Sequence, residues 1–174
     1  FGAKVIHEPR RGYGRAYKTG FNASIGDILV TFDGDNTYPA SVVPKLIETM
    51  VKEDLNFITT NRMAKLKPGA MNPIHKLGNW ILSTTVRLLF SVRLKDSQSG
   101  MWVIRKDILV RIIPSSDGMP FSQEIKIRAF RSFKSVELPI QYRRRVGNTK
   151  IRTVLDGLKN FLQLVRLRFC ISSE

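Results

Sequence analysis

Hydrophobic and polar positions along the chain follow two periods. Residues 27–32, Asp-Ile-Leu-Val-Thr-Phe, form a short continuous apolar run, the pattern of a strand buried on both faces of a parallel sheet. Residues 56–60 and 101–105 read as further strands, 135–143 as a strand carrying Pro139, and 4–7 as a short strand before a loop of Pro, Gly and Arg. Segments of helical period lie between them: 13–25, 41–53 with Pro44 in its first turn, 74–92, 106–113, 121–133 and 151–169. This alternation predicts an α/β fold with a mostly parallel sheet, whose ligands gather beyond the carboxyl ends of the strands. No internal repeat appears, and no linker is long enough to divide the 174 residues.

No apolar run reaches the roughly 18 residues of a membrane-spanning helix. Lys4, His7 and Glu8 come too early for the hydrophobic stretch of a signal peptide. The last helical segment is amphipathic: Ile151, Val154, Leu155, Leu158, Leu162, Val165 and Phe169 share a face, bordered by Arg152, Lys159 and Arg166. Such a helix can lie in a membrane interface or pack on the sheet, and the pattern fits both. Segment 74–92, apolar around most of its circumference, can likewise be core or approach lipid.

Charge adds a partner. With 29 Lys+Arg against 14 Asp+Glu the net charge is +15, so an anionic partner is expected: nucleic acid, a membrane surface or a phosphorylated substrate. The single cysteine, Cys170, excludes an internal disulfide and points to a reducing compartment; with two histidines it also argues against structural zinc.

Candidate chemistry concentrates in three polar loops. Asp33-Gly34-Asp35 follows an apolar strand directly, and two carboxylates one residue apart can turn toward one hard cation, Mg²⁺ or Mn²⁺. An ordinary Asp/Gly turn fits the same residues about equally well. Asp96-Ser-Gln-Ser-Gly100 joins a carboxylate to small donors, and residues 143–150, Arg-Arg-Arg-Val-Gly-Asn-Thr-Lys, form a basic loop suited to phosphates. Each alone reads as a solvated turn; together they suggest an anionic substrate around a cation.

The order of motifs is more specific. Gly12-Tyr-Gly14, Ala16, Gly20 and Asn22-Ala-Ser, then residues 27–39 ending Asp-Gly-Asp-Asn-Thr-Tyr-Pro, then Asp96 to Gly100, Glu137-Leu-Pro-Ile-Gln-Tyr-Arg143 and Gly147-Asn-Thr-Lys150 occur in that order. The combination resembles family 2 glycosyltransferases of the dolichyl-phosphate mannose or glucose synthase type, over residues 1 to about 152. The resemblance implies a GT-A fold over residues 1–150, a nucleotide-sugar donor such as GDP-mannose or UDP-glucose, a divalent metal and a polyprenyl or dolichyl phosphate acceptor. It implies a peripheral protein on the cytoplasmic face of a membrane; residues 151–174 follow as the amphipathic helix whose pattern fits either facing that membrane or packing on the sheet. Members normally carry about 70 further residues first, roughly two βαβ units, so the chain reads as N-terminally incomplete.

The resemblance also implies roles. Asp35 binds the metal, and Asp33 meets the metal or the donor's ribose and phosphates. Thr37 falls where relatives often place a glutamine ligand. Arg62 meets a phosphate; Asp96 leads the acceptor loop that Ser99 and Gly100 shape; Arg143, Arg145, Asn148 and Lys150 belong to the loop that closes over phosphates. Catalytic roles fall to Asp96, Arg145 and Lys150. An acceptor phosphate needs little general-base help, so Asp96 is expected to orient more than to abstract a proton. Two other classes fit the charge: a nucleic-acid module and a non-catalytic membrane-associating remnant. Nucleic acid is not expected, because the few aromatics do not interleave with the basic patches.

Overall fold

The computed structural model of the chain describes residues 2–146 and 153–171. Four strands form one sheet in the order β1-β3-β2-β4: β1 Ile28–Thr31, β2 Phe57–Leu66, β3 Trp102–Arg105 and β4 Ser135–Tyr142. The helices are α1 Tyr13–Ala23, α2 Val43–Lys52, α3 Pro73–Phe90, α4 Leu109–Ile112, α5 Phe121–Ser132 and α6 Thr153–Ile171. Turns of 3₁₀ helix, Ala40–Val42 and Lys106–Ile108, lead into α2 and α4.

The α/β class holds, but the sheet is mixed. β3 runs antiparallel to both β1 and β2, and only β2 and β4 pair in parallel. β2 and β3 are buried on both faces over their apolar runs, whereas β1, expected to be so, lies at the sheet edge and is only partly covered, with Leu29 buried and Phe32 exposed; burial reports how a strand is covered, not which way its neighbours run. On one face Leu29, Phe57, Trp102 and Ile104 pack against α1, α4 and α5 through Phe21, Ile112, Phe121 and Ile125. On the other, Ile58, Met101, Val103 and Ile140 meet Leu46 and Met50 of α2. This period-two division of β3 between two cores is what fixes its register.

Residues 4–7 form no strand: no neighbour pairs with them, and Val5 stays exposed. β2 is longer than the predicted strand 56–60, continuing through Arg62 to Leu66. Its pairing with β4 shifts register between Asn61 and Lys65. There the Asn61 side-chain oxygen accepts the amides of Met63 and Ala64, which lets the strand resume after an irregularity.

α3 begins where Asn72 caps the amide of Ile74 and Pro73 occupies the first turn. It ends at Ser91, in left-handed conformation with φ 56°. Together α3, α5 and α6 make a third core from Leu82, Val86, Phe90, Leu94, Ile127, Leu164 and Leu167.

Candidate functional site

The sheet delivers two loops to one end. After β1 the chain runs through Asp33, Gly34 and Asp35, then turns at Asn36, whose φ of 65° is a left-handed conformation that asparagine tolerates. A Cβ on Gly34 would meet nothing within 4 Å, so the space beside the two carboxylates is open. Asp35 is held from behind: its Oδ1 accepts the amide of Thr37 at 3.1 Å and the Thr37 hydroxyl at 2.5 Å. Its Oδ2 takes the Arg145 guanidinium at 2.8 Å. The segment after β4 reaches this point because the amides of Arg143 and Val146 donate to the carbonyls of Thr37 and Asp35.

Asp33 and Asp35 are close enough to feel each other. Burial, and then the negative charge of Asp35, raise the Asp33 carboxyl above its ordinary pKa. A divalent cation relieves that repulsion. No third histidine, cysteine or acidic side chain joins the pair among the described residues. Two carboxylates beside open space suit a hard cation that completes its shell with phosphate oxygens and water. Thr37, through its amide and hydroxyl, orients Asp35.

The second loop, residues 96–100, is almost wholly interior. Asp96 is completely buried, and Arg62 clamps it with three contacts: backbone N at 2.9 Å, Nε and Nη2 at 2.8 Å each. Burial, the largest single influence, would raise the Asp96 pKa, but the charge and hydrogen bonds of Arg62 together with the charge of Lys126 outweigh it and hold the carboxyl below its usual value. Arg62 also lies over the Tyr142 ring, 5.4 Å from its centroid. The amides of Lys95 and Asp96 donate to Glu137 on β4, whose pKa burial raises.

Every remaining residue of the loop is fastened. The Ser97 amide donates to Ser83 of α3, Gln98 to Gln123 of α5, and the Ser99 hydroxyl pairs with Thr60 of β2 at 2.8 Å. Asn160 of α6 donates to Gln98, so three helices converge on this loop. The Gly100 amide donates to the Tyr38 hydroxyl at 2.7 Å, and its carbonyl accepts Thr31 at 3.1 Å. The fit there is close: a Cβ would stand 3.3 Å from the Tyr13 hydroxyl and 3.4 Å from Asp33 Oδ1. Gly100 is thus the point where the two loops meet.

The structure therefore brings Asp33, Asp35 and Arg145 into one cluster and Arg62, Asp96, Ser99 and Gly100 into the one beside it. Arg143 joins the first through its backbone; Asn148 and Lys150 lie outside the described residues. Sequence reading missed Lys126 of α5, which is fully buried and donates to the Ser99 carbonyl at 2.5 Å. Helical spacing could have found it, since it lies four residues after Ser122 and three before Ala129, both buried. Glu137 was visible as part of a motif but carried no assigned task.

The profile of glycosyl transferase family 2 matches residues 1–113. The low-salt glycan biosynthesis hexosyltransferase Agl6 of Haloferax volcanii is 31% identical over 162 residues, covering 91% of this chain and 39% of that protein. A dolichyl-phosphate hexose transferase of the same organism is 31% identical over 159 residues, covering 90% of this chain and 68% of its own length. The chain thus spans between about two-fifths and two-thirds of these relatives. The crystal structure of glucosyl-3-phosphoglycerate synthase from Mycobacterium tuberculosis with Mn²⁺, UDP-glucose and phosphoglyceric acid superposes with a TM-score of 0.69. That match has 18% identity and covers 91% of this chain and 55% of the other, and it shows the shared GT-A-type fold. By its sequence this chain belongs to glycosyl transferase family 2.

Proposed function

We propose that the chain acts in a metal-dependent, inverting transfer of a hexose from a nucleotide sugar to a dolichyl or polyprenyl phosphate at a membrane surface. The observation that carries this reading is the Asp33–Asp35 pair at the carboxyl end of β1 with Arg145 already drawn to it. A cleft of about 530 Å³ between α1 and β1 opens onto Asp33 and Gly34, which supports a donor approaching from that side. The relatives' names supply the acceptor class, since one is a dolichyl-phosphate hexose transferase.

A bound Mg²⁺ or Mn²⁺ would neutralise the donor's diphosphate and stabilise it as a leaving group. The chain's own residues do the rest. Asp33 and Asp35 hold the cation, Thr37 keeps Asp35 aimed, and Arg145 offers a guanidinium to the departing phosphates. The acceptor phosphate is anionic near neutral pH and attacks without a general base. Asp96, saturated by Arg62, suits the fixing of that arginine's orientation more than the taking of a proton.

The membrane part of the proposal draws on α3 and α6. No described helix is long and apolar enough to cross a membrane. Packed on one another, the two helices bury one stripe each and leave another outside: Leu77, Trp80, Ile81 and Leu88 on α3, and Leu158, Phe161, Leu162 and Phe169 on α6. Arg87, Lys159 and Arg166 are exposed on the same helices. Such a surface suits shallow seating among anionic headgroups.

Titration of UDP-glucose and GDP-mannose into the protein with Mn²⁺, beside Asp35→Ala, tests the central claim. Metal-dependent binding of one donor, lost in the variant, is expected. Binding that ignores both the metal and Asp35 would overturn it.

A further inference from the structure

Lys126 is the fully buried cation for which the proposed chemistry has no task. A lysine with no exposed surface is costly: desolvation disfavours the ammonium, and here it pulls the pKa down to about 7. The groups around it are Asp96 after α3, Glu137 on β4 and Asp33 after β1, which favour the charge, and Arg62 on β2, which opposes it. Its ammonium stands 5.5 Å from the centroid of the Trp102 ring.

Its hydrogen bond is what gives it a task. The Ser99 carbonyl accepts Lys126 Nζ at 2.5 Å and Trp102 Nε1 at 2.8 Å, with the Ser122 hydroxyl farther off at 3.4 Å. A single carbonyl drawn by two nitrogen donors has its peptide plane fixed, and the next atoms in the chain are those of Gly100. The Gly100 amide donates to the Tyr38 hydroxyl at 2.7 Å, and a Cβ placed on Gly100 would stand 3.4 Å from Asp33 Oδ1, so this stretch of backbone lies directly beside the Asp33 carboxylate. A rotation of the Ser99–Gly100 peptide would therefore move the floor beneath Asp33.

Stability does not account for this lysine. Without Lys126 the Ser99 carbonyl keeps Trp102 Nε1, so no acceptor is orphaned, and a methionine of similar length fills the space without a buried charge. We infer that Lys126 is a positioning residue, which holds the Ser99–Gly100 peptide in the orientation that seats Asp33 for the reaction. Its effect on transfer rests on the glycosyltransferase reading; its effect on the loop does not.

Lys126→Met, with Lys126→Gln as a second variant, separates positioning from packing. Three readouts are needed: melting temperature at pH 7, amide hydrogen exchange of residues 96–101, and steady-state transfer from UDP-glucose and GDP-mannose with Mn²⁺ and vesicles holding a polyprenyl phosphate. The expected result is a melting temperature equal to or above the parent's, exchange in residues 96–101 at least tenfold faster, and kcat at least tenfold lower with donor KM changed less than threefold. A lower melting temperature with kcat of the folded enzyme unchanged would make Lys126 a structural residue and overturn the inference. So would loop exchange unchanged from the parent. If the parent itself transfers neither sugar, the function proposed above fails, and loop exchange then decides the positioning role alone.

Discussion

At Asp35 two carboxylate oxygens serve different partners. Oδ1 is satisfied by Thr37 whatever happens at the site, whereas Oδ2 is bound by a half-exposed arginine that a cation can displace. On the proposed function Arg145 would compete with the metal before the donor arrives and assist the phosphates afterwards. A pair only partly exposed at both ends stands at the upper end of the about 0.2–1 kcal/mol that surface pairs contribute, so Arg145→Gln should tighten Mn²⁺ binding up to about fivefold without donor, followed by Mn²⁺ electron paramagnetic resonance. The same variant should weaken nucleotide-sugar binding. Weaker Mn²⁺ binding in the variant would mean that Arg145 supports the cation site instead of guarding it.

Asp96 and Arg62 obey a different rule because they are interior. Removing one partner of a buried pair strands the other, at a cost of about 3–5 kcal/mol, whereas replacing both with apolar groups is often neutral. Asp96→Asn should therefore lower stability far more than Asp96→Leu combined with Arg62→Met, in denaturant titrations of the two variants. Lys126 adds a pH dependence of opposite character. Its folded pKa lies below the unfolded value, so its cost to folding is full below about pH 7 and fades as pH rises toward the ordinary lysine value. The melting-temperature advantage of Lys126→Met should accordingly be greatest below pH 7 and shrink steadily on going alkaline.

Among the elements, α1 and α5 meet at Gly14, where a Cβ would come 2.7 Å from the Phe121 ring and 2.8 Å from the Ser116 carbonyl. Backbone cannot step aside as a flexible side chain can, so Gly14→Ala should cost about 1–3 kcal/mol, read as a lowered unfolding midpoint. Gly34→Ala, beside open space, should leave that midpoint nearly unchanged. The elements themselves were largely legible: apolar runs located β1 and β3, and helical period located α2, α3 and α5 within a few residues. What the pattern could not carry was partnership. Residues 4–7 have a strand-like composition but no neighbour, and β2 outruns its apolar run because Asn61 caps the irregularity that follows. The direction of β3 is likewise set by its two neighbours, not by its own side chains. In the site, Asp33 and Asp35 were visible as a spacing, and Arg62 and Asp96 through resemblance to a family. That the latter two bind each other, and that Lys126 stands behind them, depends on contacts 34 and 27 positions apart in sequence.

Over the whole molecule, the +15 charge has to be reconciled with a site that itself holds nearly balanced charge. Asp33, Asp35, Asp96 and Glu137 face Arg62, Lys126 and Arg145, so the excess lies elsewhere, including Arg87, Lys159 and Arg166 of α3 and α6. Surface charge acts over a Debye length of about 10 Å at 0.1 M salt, while buried pairs are screened far less. Two kinds of binding should then separate on one salt axis. Association with vesicles containing anionic lipid should fall steeply between 50 and 300 mM salt, and Mn²⁺-dependent donor binding should fall much less. Apolar seating adds a contribution that salt does not weaken: Trp80→Glu or Phe161→Glu should reduce vesicle binding at every salt concentration, by roughly ten- to a hundredfold if a side chain worth roughly 1.5–3 kcal/mol is withdrawn from the interface. Cosedimentation across the salt series measures both. If the glutamate variants match the parent at high salt, the outer stripes of α3 and α6 do not enter lipid, and only the basic residues attract the protein to the surface.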